Sequence, residues 1–134
     1  MFLTMLNDKE RKNFLELAHI AMNLGDDEKK EEKAVFHSFK REMELDDYKI
    51  VNKTFEELVT AFNSSTKKAK RIVIIELAGV LDADEVIDKK EEDWIKKLGV
   101  SLEIRDKELK KLILWTQEFN DLLQEGYNYI NKRG

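Results

Sequence analysis

Apolar side chains recur along this chain at helical spacing. Phe14, Leu17, Ala18 and Ala21 follow the i, i+3, i+4, i+7 rule. They predict a first helix that starts at a cap on Asn7 or Asp8, runs to about Leu24 and stops at Gly25. After a charged turn, Asp26–Lys30, a second helix is expected to about Met43, with Val35, Phe36, Phe39 and Met43 on one stripe. The segment Asp46–Lys53 reads as a connection, and Phe55, Leu58, Val59 and Phe62 mark a third helix. Asn63-Ser64-Ser65-Thr66 is a turn that ends in an N-cap residue. The fourth helix, Lys67–Leu81, is apolar on nearly every side, as expected at the centre of a bundle. Its β-branched run Ile72–Ile75 would also suit a buried strand, but no partner strand is found elsewhere. A fifth helix, Lys89–Leu98, is expected to stop at Gly99. A sixth runs from about Asp106 towards Ile130, with Leu109, Leu112, Ile113, Thr116, Phe119, Leu123, Tyr127 and Ile130 on one stripe. The polar tail Asn131–Gly134 is expected to fray.

Composition agrees with helices that carry solvated outer faces. Charged residues make up 39% of the 134, hydrophobic ones 42%, and proline is absent, which removes the residue that most strongly breaks helices. The length suits one domain, 1–134. With 24 basic against 28 acidic residues the net charge is −4, so the footprint of a nucleic-acid binder is missing. The basic runs Lys67, Lys68, Lys70, Arg71 and Lys107, Lys110, Lys111 lie beside acids or at helix starts. The absence of cysteine excludes disulfides and thiolate chemistry and agrees with a reducing compartment. The opening apolar run is too short for a signal peptide. Ile72–Leu81 is about half the length of a membrane span. A cytoplasmic location is the expectation.

Sliding the chain on itself by 60 residues aligns two helix–acidic turn–helix units without a gap. Leu17-Ala18 falls on Leu77-Ala78, Ala21 on Leu81, and Lys29-Lys30-Glu31-Glu32 on Lys89-Lys90-Glu91-Glu92. Each hairpin would cover the apolar stripe of the other. The two stretches Leu17–Glu31 and Leu77–Glu91 carry Leu-Ala, a few apolar positions, an acidic turn and a closing Glu. In this the chain resembles the TerB-like (tellurite-resistance B) helical domains, whose pattern has Ala-Asp-Gly in the turn and a Glu seven residues after the Asp. Phe39-Lys40-Arg41-Glu42-Met43 and the opening Met1-Phe2-Leu3 are also similar. The departures are that Leu24 stands where the Asp belongs in the first unit, and Glu85 where the Gly belongs in the second. The resemblance implies an all-α, compact bundle of about six helices built from two similar helical hairpins. It also implies a non-enzymatic interaction or scaffold role of the kind associated with stress and tellurite resistance.

The densest chemistry lies in the second turn. Asp82, Asp84, Glu85, Asp88, Glu91, Glu92 and Asp93 outnumber Lys89 and Lys90, for a local charge of −5. Carboxylates at that density suit Ca²⁺ or Mg²⁺, with Asp84, Glu91, Asp82 and Asp88 as the candidate ligands of a weakly bound ion. An EF-hand loop is ruled out, because Val86 and Ile87 occupy positions that need a ligand and a Gly. Capping explains the same residues: Asp88 precedes the fifth helix and Glu91 stands three residues on, the spacing of a capping box. Both readings stay open here.

No other motif carries chemistry. His19 and His37 lack metal-ligand spacing, Ser64, Ser65 and Thr66 read as turn residues, and no P-loop or dinucleotide fingerprint is present. Gly79 is expected to permit close helix packing, and Trp94 and Trp115 to anchor the core or to mark a binding surface. The partner expected is another protein, with a homodimer among the forms open to it. No resident cofactor, nucleic acid or membrane span is expected.

Overall fold

A computed structural model of the chain describes residues 1–24, 30–82 and 88–132, without the side chains of residues 30–33. Among them stand a 3-10 turn, Leu3–Met5, and six α-helices: α1 Asp8–Met22, α2 Lys30–Glu42, α3 Phe55–Asn63, α4 Lys67–Leu81, α5 Lys89–Ser101 and α6 Asp106–Ile130. No strand occurs among the described residues, so Ile72–Ile75 is helical. No described helix is long and apolar enough to cross a membrane.

Local chemistry accounts for the helix ends. Asn7 and Glu10 close a reciprocal capping box: the Asn7 Oδ1 accepts the Glu10 N–H at 2.8 Å, and the Glu10 Oε1 accepts the Asn7 N–H at 2.9 Å. Thr54 and Thr66 cap α3 and α4 from one side, each hydroxyl accepting from an N–H three residues on at 3.1 Å. α2 and α5 end alike. After α2, Glu44 turns left-handed at φ 57, and the Leu45 N–H reaches back to the Lys40 carbonyl; after α5, Glu103 does so at φ 62, and the Ile104 N–H reaches the Gly99 carbonyl. These are Schellman closures, built here on Glu in place of the usual Gly.

Two of the expected helix ends are displaced. α1 ends at Met22, two residues before the expected end at Leu24, and Gly25 lies outside the described residues. Gly99 does not stop α5, which continues to Ser101. The reason is tertiary: a Cβ on Gly99 would stand 2.6 Å from the Leu109 side chain, so the missing side chain is space that α6 fills.

α4 lies at the centre and packs against every other α-helix. From Ile72 to Leu81 only Ile75 and Gly79 are other than buried. α1 is its counterpart, buried without a break from Asn13 to Ala18. The hairpins match helix for helix, with 15 residues each in α1 and α4 and 13 each in α2 and α5. Burial keeps the expected 60-residue register between α1 and α4, where Phe14, Glu16, Leu17, Ala18 and Ala21 fall on Ile74, Glu76, Leu77, Ala78 and Leu81. Between α2 and α5 the register is one residue shorter: Phe39 corresponds to Leu98, Met43 to Leu102, and Glu44 to Glu103. The alignment without a gap is therefore corrected by one residue at the turn.

Candidate functional site

Four residues were the sequence's candidates for a cation. Asp84 lies outside the described residues. Asp82 closes α4, and its Oδ2 accepts a hydrogen bond from the Asn120 side-chain amide on α6 at 2.9 Å. Asp88 is the N-cap of α5 and accepts the Glu91 N–H at 2.8 Å, which is the cap half of the expected box. Glu91 itself is buried, with 3% of its surface exposed. Among the described residues, no group of three or more His, Asp or Glu side chains is placed to hold a metal ion.

Beside Asp82 a cleft of about 500 Å³ opens between α5 and α6, lined by Ile95, Lys96, Ile113 and Leu114 among others. Glu92 on its rim is held below its ordinary pKa, by a hydrogen bond from Lys96 first and by the charge of that lysine next. Both groups lie on the exposed outer face of α5, where such i, i+4 pairs contribute little to stability.

α6 presents the larger feature. It runs alongside α4 in the same direction, with Arg71 beside Glu108, Gly79 beside Thr116 and Asp82 beside Asn120. α4 stops at Leu81, while α6 continues to Ile130. The ten residues from 121 to 130 extend about 15 Å past the Asn120 contact at the helical rise. Leu109 and Thr116 are buried and Leu112, Ile113 and Phe119 partly so, but Leu122, Leu123, Tyr127, Tyr129 and Ile130 are all exposed, Ile130 by 79%. The expected stripe is therefore a true helix face, buried only along its first half. Of the two readings open for the tryptophans, Trp94 takes the core. Trp115 is 43% exposed, stacked on Phe119 at 5.5 Å and flanked by Phe2 at 6.1 Å.

This overhang was not singled out from the sequence. The signal was there: a 25-residue stripe cannot be covered by neighbours of 13 and 15 residues.

Compared with protein-family models, with curated proteins and with solved structures, the chain matches none.

Proposed function

We propose that this chain is a non-enzymatic protein-interaction module that works through the overhanging end of α6, and that the partner seated there is a second copy of the chain. The observation that carries the reading is the exposure of Leu122, Leu123, Tyr129 and Ile130. These residues lie in mirrored positions about Gly126. An antiparallel pairing with its two-fold axis at Gly126 would set Leu122 against the partner's Ile130, and Leu123 against the partner's Tyr129. A Cβ built on Gly126 meets nothing within 4 Å, and a glycine at the crossing lets the two backbones approach closely. Such self-complementarity is what an isologous interface requires. Trp115 and Tyr127 extend the patch to roughly 600 Å² per copy, so a pair would bury about 1,200 Å², the lower end of the range for specific interfaces. The TerB-like motif residues support a scaffold role in a stress or tellurite-resistance context.

Sedimentation velocity over a concentration series is the test. The wild type should pass from monomer to dimer, and Leu123→Glu or Ile130→Glu should hold it as a monomer with little change in melting temperature. A wild type that stays monomeric at several hundred micromolar would end this reading.

A further inference from the structure

At the opposite end of α6, the corner between α5 and α6 meets the first turn of α4 around a cleft of about 340 Å³. Lys67, Lys70, Arg71 and Arg105 line it, and Glu103 and Glu108 are its acids. The Glu108 carboxylate is engaged, accepting from the Arg71 guanidinium at 2.5 Å. Four cations thus face two carboxylates, one of which is already paired.

Three observations set this cleft apart from an ordinary charged surface. First, Lys70 is only 8% exposed, and among the described residues its ammonium has no hydrogen-bond or ion-pair partner. The stem is covered by the fold, while the ammonium reaches the cleft without a partner. Second, Lys67, Lys68 and Lys70 crowd the positive end of α4, whose first turn holds no acid. The described first turns of α1, α3, α5 and α6 all carry acids, the arrangement the helix dipole favours. Third, α6 also begins at this cleft, and its N-cap residue Arg105 gives its first amides no side-chain acceptor. Two positive helix ends and the unpaired ammonium of a largely covered lysine therefore converge on one cavity. Thr66 caps α4, but among the described residues no side chain caps α6.

We propose that this cleft binds an oxyanion, a phosphate group that is either free or carried by a small molecule. Lys70 would supply an unpaired charge, Arg105 and Lys67 the outer clamp, and the open amides of α6 the hydrogen bonds that fix orientation. Arg71 is held in place by Glu108. The volume lies at the low end for small-molecule pockets, which are about 300–1,000 Å³, and so leaves room for more than the phosphate alone.

The test is a titration of the full chain at constant ionic strength, followed by amide chemical shifts. The probes are inorganic phosphate, pyrophosphate and adenosine diphosphate, with sodium chloride as control. Saturable shifts confined to residues 67–71 and 102–108 are expected. Lys70→Met should weaken binding at least tenfold. Lys97→Met, which removes a cation lying over the Phe55 ring, should leave binding unchanged. Tighter binding of the nucleotide than of pyrophosphate would assign a carried phosphate, and equal binding the phosphate group alone. Shifts that never saturate, or that spread over every lysine-bearing face, would overturn the proposal. So would Lys70→Met leaving binding unchanged, or a short single-stranded oligonucleotide binding where the small anions do not.

Discussion

The Tyr48 hydroxyl donates to the Glu16 carboxylate at 2.7 Å, a contact that helps tie the connection after α2 to the middle of α1. Glu16 is 1% exposed and also accepts the Val51 N–H at 2.9 Å and the Lys53 N–H at 3.0 Å. Asn52, between them, is left-handed at φ 60, a conformation Asn tolerates better than most residues. Lys53 completes the lock by donating to the buried Asn13 at 2.7 Å. Glu76, at the equivalent position of α4, is also buried and accepts the Phe2 N–H at 2.7 Å. In both hairpins a buried glutamate thus pins an irregular segment through its main chain. Removing the Glu16 carboxylate strands those donors, so Glu16→Ala should cost about 3 kcal/mol or more, and Tyr48→Phe about 1.5–3 kcal/mol, in denaturant unfolding.

The same lock makes stability depend on pH at both ends. Burial pushes the Glu16 carboxyl up, but hydrogen bonds from Val51, Tyr48 and Lys53, with the Lys53 charge, outweigh it and leave the pKa below the ordinary value. A depressed carboxylate stabilises the fold above its unfolded pKa, and the contribution is lost as pH falls through the folded one. Burial, and then the Glu16 carboxylate, push the Tyr48 phenol up to about 12. That contribution is full below the ordinary tyrosine value and disappears as pH rises through about 12. Unfolding free energy measured against pH should therefore fall at both extremes. In Glu16→Gln the acid-side fall should be shallower.

The glycines of α4 and α5 should respond in opposite directions. A Cβ on Gly79 would sit 3.9 Å from the Thr116 methyl, an ordinary contact, so Gly79→Ala should gain about 0.5–1 kcal/mol from helix propensity. Close packing is thus not what Gly79 provides. Gly99→Ala would drive a methyl into the buried Leu109 and should cost about 1–3 kcal/mol despite the better propensity. Thermal melts of the two variants check the contrast.

In the core, Leu77 is fully buried on α4. Leu77→Ala should cost about 2–5 kcal/mol, measured by denaturant unfolding.

For the acidic turn, Asp88→Ala should cost about 1 kcal/mol with or without added Ca²⁺, because it removes the cap of α5. Added Ca²⁺ or Mg²⁺ is expected to move the melting temperature little. A clear rise at sub-millimolar ion, abolished by Asp84→Asn, would instead favour a cation-responsive role.

Apolar periodicity and caps determined the helical class, the helix order and the central place of α4, because these depend on neighbours within a few residues. Thr66 and Asp88 lie beside the amides they cap, so their roles were legible in the chain itself. Three matters were decided only by tertiary structure. Gly99 reads as a stop until Leu109 is seen to occupy its missing side chain. The α6 stripe reads as core along its whole length until α4 is seen to end beside Asn120. Lys70 reads as one more surface lysine until the α5–α6 corner is seen to cover its stem. In each case the deciding partner lies 10 or more residues away along the chain. Local pattern carries no information about which distant surface will close over a side chain, or leave it open.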